Sequence, residues 1–359
     1  EMNEEKGHAL LSASGAHRWL NCTPSARLER EFDDNSGEAA AEGTASHALS
    51  EHKLRRALKL RSKKPVSKYD SDEMDIHTDG YVEFVQEVIE QAKQNCIDTK
   101  VLIEQRLNFS KYVPDGFGTG DCLVIADGTI HIIDFKYGQG LLVEAEDNPQ
   151  MKLYALGALE LFDGIYDIVS VAMTIYQPRR ENVSTHTVFK ESLYQWADEV
   201  LQPLAQLAFD GSGEYCSGDW CRFCRAKNLC RARAEFAIGP YDSVQGCKPP
   251  LITDQMVGEL LMRADVIRKW ISDLEDYALS TLLTGGDIPG WKAVEGRSVR
   301  AFSDADAAFQ KLVNTGTDES VLYERKPLSL ANVEKLIGKK EFAELLGDYI
   351  ITPPGKPTL

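Results

Sequence analysis

The chain has 359 residues, of which 43% are hydrophobic and 27% charged, and its net charge is −16. That composition belongs to a globular chain rather than a disordered one. No apolar run reaches transmembrane length, and the negative charge excludes a protein that grips nucleic acid over its whole surface.

The length allows one large domain or two ordinary ones. The start, residues 1–7, is acidic and polar with no signal-peptide core, so a cytoplasmic protein is expected. A small N-terminal segment, Ser12 to Leu28, carries Trp19 and Cys22. A helix is predicted over 39–61. A second is predicted over 72–95, where Tyr81, Phe84, Val85, Val88 and Ile89 recur at helical spacing. Strands are expected at 101–107, 119–125 and 130–137. Asp127-Gly128 turns the last two into a hairpin. A helix over 148–162, strands at 168–176 and 183–188, and a helix over 193–209 follow. This order describes a mixed α/β core. After Pro240 the texture changes. Pro249-Pro250 precedes a long helix over 253–283, and the remainder reads as a mainly helical appendage with a few short strands. Two basic clusters, 53–64 and 222–233, read either as solvated helix faces or as DNA contacts.

The chemistry concentrates at Asp134-Phe135-Lys136, which ends the apolar run Ile130-His131-Ile132-Ile133. Side chains alternate along a strand, so Asp134 and Lys136 share a face while Phe135 points away. An acid and an amine at the end of a buried strand are costly without a partner or a task. Asp121 heads the preceding apolar run, so the hairpin brings a second carboxylate close. Such acids hold a hard divalent cation, Mg²⁺ or Mn²⁺. With a lysine to orient or deprotonate water, they meet the needs of phosphodiester cleavage. A salt bridge at a sheet edge is the plain alternative. His47 lies on the first helix, with Glu51 one turn later. Gln150 and Tyr154 stand four apart on the helix after the motif, either as a polar surface or beside the metal site. Pro114-Asp115 precedes Gly116 and reads as a turn. Glu104, one strand earlier, could add a carboxylate.

Eight cysteines are present, and Cys216, Cys221, Cys224 and Cys230 crowd together. The spacing Cys221-x2-Cys224-x5-Cys230 is that of metal ligands rather than of a disulfide framework in a cytoplasmic protein. A fourth ligand, for zinc or an iron–sulfur cluster, could come from Cys216 or from distant Cys22. Cys22 would clip the two ends of the core together. Cys96 and Cys122 look like single structural cysteines. Trp220, Phe223 and the arginines beside them read first as packing around the thiols, and second as a platform for stacked bases.

Taken in order, His47, Gly118-Thr119-Gly120-Asp121, Asp134-Phe135-Lys136 and Gln150-x3-Tyr154 resemble the motif series of RecB-type nucleases in the PD-(D/E)XK superfamily. Cys22 with Cys221-x2-Cys224-x5-Cys230 resembles their iron–sulfur branch, which includes the AddB nuclease domain and the CRISPR-associated RecB-like exonucleases. The stretch from Leu11 to Cys22 and the run from Trp220 to Lys227 are similar to a group of phage and prophage proteins in that branch. The resemblance covers about residues 10 to 235. It implies a restriction-endonuclease-like α/β fold with a mixed sheet flanked by helices, an iron–sulfur lobe and a helical C-terminal appendage. The implied divisions are 1–38 (N-terminal segment with one cluster ligand), 39–210 (nuclease core), 211–240 (cysteine-rich segment) and 241–359 (mainly helical). The implied metal ligands are His47, Asp121, Asp134 and the carbonyl of Phe135. The implied catalytic residue is Lys136, joined by Asp121 and Asp134, with Gln150 and Tyr154 as accessories. Cys22, Cys221, Cys224 and Cys230 would hold a [4Fe–4S] cluster.

The resulting expectation is a Mg²⁺- or Mn²⁺-dependent DNA exonuclease that processes phage or prophage DNA. It would act on single strands or duplex ends, have no membrane contact, and work with a recombination or helicase partner as a separate protein. A non-catalytic DNA-binding module on the same fold is the main alternative. A zinc-stabilised or redox protein with an incidental D-x-K is a further one.

Overall fold

The computed structural model describes residues 9–33, 37–245, 254–294, 304–314, 318, 322, 333, 336–346, 349 and 350. The chain divides into two compact units, Glu1–Lys292 and Ala293–Leu359.

In the first unit, five strands form one sheet in the order of the sequence: β1 (Lys100–Asn108), β2 (Phe117–Ala126), β3 (Gly128–Phe135), β4 (Ile168–Gln177) and β5 (Asn182–Phe189). β1–β2, β2–β3 and β4–β5 are antiparallel, while β3–β4 is parallel. The hairpin at Asp127-Gly128 forms as expected, and Gly128 takes the positive φ of 87° that the tight turn requires. The parallel pair needs a long crossover. The helix Pro149–Phe162 supplies it.

Helices cover both sheet faces. Leading helices α1 (Ala16–Asn21) and α2 (Ser25–Leu28) precede α3 (Glu38–Ala57) and α4 (Asp72–Asn95). The crossover helix is α5, followed by α6 (Lys190–Trp196), α7 (Gln202–Asp210), α8 (Arg231–Gln245) and α9 (Asp254–Leu283). Leu123, Ile125, Ile130 and Ile132 face a core built with α5 and the N-terminal residues Leu11, Ala13, Ala16 and Trp19. Cys122, Val124, Ile133 and Phe135 face a second core with α3 and α4. A sheet buried on both faces explains why these strands read as unbroken apolar runs. Cys96 and Cys122 are buried free thiols, as expected.

Three boundaries carry local causes. The first long helix stops at Ala57, before the expected Arg61, because Lys59 turns left-handed at φ 60° and the amides of Lys59 and Leu60 close on the carbonyls of Arg56 and Arg55. The helix over 190–210 is one rod interrupted by a π-helical turn, Ala197–Leu201. Pro203 follows it, lacking an amide and crowding the preceding turn, and the wider coil accommodates it. Pro114-Asp115 sits in a turn closed by the Gly116 amide on the Val113 carbonyl at 2.8 Å.

In the second unit, the described residues form α10 (Ala305–Asn314) and α11 (Lys339–Leu346). The short strands expected there do not occur among the described residues. Pro249-Pro250 lies outside the described residues.

Candidate metal centre and cysteine pocket

Asp134 falls in phase with Ile130 and Ile132, and Asp121 with Leu123 and Ile125, so both carboxylates lie on the α5 face of the sheet. The β2–β3 register runs from Ala126↔Thr129 to Cys122↔Ile133, and its next step sets Asp121 opposite Asp134. Like charges directly opposite are destabilising. The surrounding groups offset that repulsion. The amide of Phe135 donates to Asp121 Oδ2 at 2.7 Å, and His47 Nδ1 stands 3.5 Å from Asp121 Oδ1. Lys136 Nζ lies 3.0 Å from Asp134 Oδ2.

Gln150 and Tyr154 complete the network from α5. Lys136 Nζ donates to Gln150 Oε1 at 3.0 Å. Gln150 Nε2 donates to the Tyr154 hydroxyl at 3.1 Å and reaches Asp134 Oδ1 at 3.4 Å. The structure thus gathers His47, Asp121, Asp134, Lys136, Gln150 and Tyr154 in one place. Phe135 contributes its amide, and its ring lies 5.5 Å from the His47 imidazole at the bottom of the site. Glu51 points elsewhere, into an ion pair with Arg55 at 2.7 Å.

Potential ligand atoms of His47, Glu104 and Asp121 lie within 4.8 Å of one another, a set that fits a divalent metal. Glu104 holds its place through an unusual backbone. Its φ is 51° in the middle of β1. The register is the same on either side, Ile103↔Cys122 and Gln105↔Gly120, so no residue is inserted. Left-handed backbone at a non-glycine strand residue is strained, and such strain gathers at functional sites.

The electrostatics follow from burial against pairing. Burial pulls His47 down, but the Asp121 carboxylate outweighs it and holds the imidazole above its ordinary value. Burial pushes Asp121 up, but His47, the Phe135 amide and Lys136 bring it below the usual carboxylate range. Burial dominates at Asp134 and raises it, with Lys136 pulling the other way. Burial would lower Lys136, yet Asp134 and Asp121 keep it above its ordinary value. The site therefore presents one ammonium against two acids of unequal strength.

Sequence reading quoted Gly118 within a motif but gave it no role of its own. A Cβ there would lie 2.7 Å from Tyr154 Cε1, so the bare backbone is what lets the Tyr154 ring lie across β2. A glycine three residues before a helix-facing strand aspartate was the available signal. Gly157 plays the same part lower on α5, where a Cβ would meet Leu107 Cβ at 2.9 Å.

The cysteines meet across the chain. Cys22, Cys216, Cys221, Cys224 and Cys230 line one cavity. The N-terminal segment is tied there by side chains gripping backbone. Thr23 Oγ1 donates to the Ser212 carbonyl at 2.6 Å and Arg27 Nε to that of Phe209 at 2.7 Å. Glu29 accepts from Arg18 at 2.6 Å and from the Arg225 amide at 2.8 Å. Burial raises the Cys22 thiol, and burial followed by the Glu29 charge pushes Cys224 up to about 12. Both thiols are protonated at neutral pH unless a metal draws the proton off.

The basic cluster over 53–64 is partly neutralised. Lys53 bonds Asp75 and Asp79 across to α4 at 2.8 and 2.7 Å. Among the described residues, no helix is long and apolar enough to cross a membrane.

Among solved structures, the chain is similar to a Eubacterium rectale protein provisionally named an exonuclease. The two are 12% identical, with a TM-score of 0.36, over 70% of this chain and 96% of that one. It is also similar to a protein named SSO0001, 11% identical, with a TM-score of 0.24, over 51% of this chain and 94% of that one. Likenesses this distant carry no argument about the site. A family model matches residues 8–359, and the chain belongs to that family, described as protein of unknown function (DUF2800).

Proposed function

We propose that this protein is a divalent-metal-dependent DNA exonuclease, acting in phage or prophage DNA processing. One observation carries the reading: the His47–Glu104–Asp121 ligand set adjoins a network of Lys136, Asp134, Gln150 and Tyr154. Oxygen donors suit Mg²⁺ and Mn²⁺, and the imidazole of His47 favours Mn²⁺ among the two. His47, Glu104 and Asp121 would hold the cation, with Asp134 adjoining. A cation bound there polarises a phosphate oxygen and makes a bound water more acidic.

The protein's own groups do the rest. Water adds to phosphorus, the P–O bond to the leaving sugar oxygen breaks, and a phosphate monoester and a hydroxyl result. Lys136 Nζ, fixed by Asp134 and Gln150, is placed to donate to that water or to a phosphate oxygen. Gln150 locks the lysine rotamer. Tyr154 accepts from Gln150 and so keeps its own hydroxyl proton to donate outward to the substrate.

The cysteine pocket is read as the seat of a [4Fe–4S] cluster held by Cys22, Cys221, Cys224 and Cys230. A [4Fe–4S] cluster takes one thiolate on each of its four irons, the number of ligands the resemblance assigns here. Such a cluster supplies a cross-link between the N-terminal segment and residues 216–230.

The deciding experiment is digestion of end-labelled single- and double-stranded DNA with Mn²⁺, beside the Lys136→Ala variant. Cleavage that disappears in the variant is expected, and the retained label gives the polarity. Equal cleavage by both proteins, or none by cluster-loaded wild type, overturns the reading.

A further inference from the structure

A second cavity, of about 600 Å³, lies beside the cysteine pocket and shares Cys221 with it. Its walls come from five parts of the first unit: the N-terminal segment, the cysteine segment, α8, α9 and the loop after Lys136, through Leu141. Five cationic side chains line it against two carboxylates, in a chain whose net charge is −16. Both carboxylates have company. Asp273 takes Lys227 at 3.0 Å and Arg233 at 2.6 Å, and Asp219 faces His17 at 3.4 Å. Arg222 and Lys269 have no carboxylate partner among the described residues, and both are exposed. A local cation excess on an acidic protein marks where an anion is received.

The aromatics in the wall divide into two kinds. Trp220 is structural: its Nε1 donates to the Cys216 carbonyl at 2.9 Å, and its ring fills the space a Cβ on Gly218 would need. Phe223 is 66% exposed and Phe236 47%, so each keeps much of its surface open to solvent. The Arg222 guanidinium sits 5.8 Å from the Phe223 ring centroid. Exposed rings flanked by unpaired cations form the chemistry that stacks unpaired bases and holds their phosphates.

The groove also lies near the candidate metal centre along the chain. The Arg222 guanidinium lies 3.8 Å from where a Cβ on Gly140 would stand. Gly140 is four residues beyond Lys136, a span of at most about 14 Å. A few nucleotides cover that distance.

We propose that this groove holds the unpaired strand of a DNA substrate, with bases stacked on Phe223 and Phe236 and phosphates held by Arg222 and Lys269. The proposal rests on the nuclease reading above, whose site it would feed. An acidic peptide would satisfy the cations but has no use for two bare rings.

The test is fluorescence anisotropy of the full chain with an end-labelled oligothymidylate, in EDTA so that no cleavage occurs. Wild type should bind. Phe223→Ala should weaken binding about tenfold, and Phe223→Trp should restore it. Arg222→Ala with Lys269→Ala should flatten the log–log salt dependence by about 1.4. Affinity for a blunt duplex should not change. The proposal is overturned if natively folded wild type fails to bind, if Phe223→Ala binds as tightly as wild type, or if duplex affinity falls equally. Binding by a wild type that never cleaves with Mn²⁺ sinks the nuclease reading alone. Normal cleavage with unaltered binding in the groove variants sinks the groove alone.

Discussion

The amide of Phe135 donates to the side chain of Asp121 at 2.7 Å, at the point where the β2–β3 backbone ladder ends. One carboxylate oxygen thereby replaces a ladder acceptor, and the other is left for His47. The bond fixes the rotamer of Asp121, so the ligand is positioned before any metal arrives. Asp121→Asn can keep an oxygen on the Phe135 amide while losing the charge. We expect the fold to survive, and Mn²⁺ affinity and cleavage to fall by about a hundredfold or more. Calorimetric Mn²⁺ titration beside a cleavage assay checks this. Wild-type affinity in the variant would remove Asp121 from the ligand set.

Gly118→Ala tests the close approach of Tyr154. The new methyl would stand 2.7 Å from Tyr154 Cε1, so the ring must move, and with it the hydroxyl on Gln150. Cleavage should drop by about ten- to a hundredfold, since displaced second-layer partners cost that much. Mn²⁺ affinity should stay within a few-fold of wild type, because Tyr154 joins the network through Gln150 rather than as a ligand. Unchanged turnover would mean that Tyr154 only packs.

Glu104 offers a trade between stability and activity. At φ 51° it occupies backbone that glycine adopts without strain. Glu104→Gly should raise unfolding stability by roughly 1 kcal/mol in urea titrations of the metal-free protein. It should also cut Mn²⁺-dependent cleavage, the compromise expected where a strained residue serves function. A less stable variant with full activity would show that the kink is a packing matter only.

Much of this was readable in the chain. The apolar runs, the Asp127-Gly128 turn and the D-x-K alternation were enough to place Asp121, Asp134 and Lys136 on one face. The four-residue spacing was enough to pair Gln150 with Tyr154. Glu104 was visible only as an available carboxylate, because nothing local announces a left-handed glutamate in a strand. Tertiary packing imposes it. The meeting of Cys22 with Cys221 was reachable only by asking for a fourth ligand, since Thr23, Arg27 and Glu29 grip backbone groups that leave no mark in sequence. Phe223 and its neighbouring arginines were legible as a second reading, a platform for stacked bases, but the groove around them was not, because α9, a separate helix distant in sequence, builds one of its walls.

Cys216 lines the cavity beside the four expected ligands, so the ligand set can be tested by subtraction. Cys22→Ser, Cys221→Ser and Cys224→Ser should each lose iron and visible absorbance. Each should also lower thermal stability, as metal binding is part of folding in such sites. Cys216→Ser should keep both. Iron retained in Cys22→Ser but lost in Cys216→Ser would exchange their roles, and bound zinc in colourless wild type would replace the cluster.

His131 sets a pH dependence apart from either site. On β3 its Nε2 lies 2.7 Å from Thr174 Oγ1, which in turn meets Thr185 Oγ1 at 2.7 Å, a polar row across three strands. Burial pulls the imidazole down to about 4. In the unfolded chain a histidine takes its proton near pH 6.5. Between these values the unfolded state binds more protons, so stability falls as pH drops from about 6.5 to about 4, by up to roughly 3 kcal/mol. Above that window the contribution is full and constant. Gln at position 131 keeps a hydrogen-bonding group near Thr174 but does not titrate. Urea denaturation at steps through the window should therefore show wild type losing more stability than His131→Gln by up to that amount, with the two curves parallel above pH 6.5. Parallel curves throughout the window would mean that the folded protein opens this row to water and protonates His131 without cost.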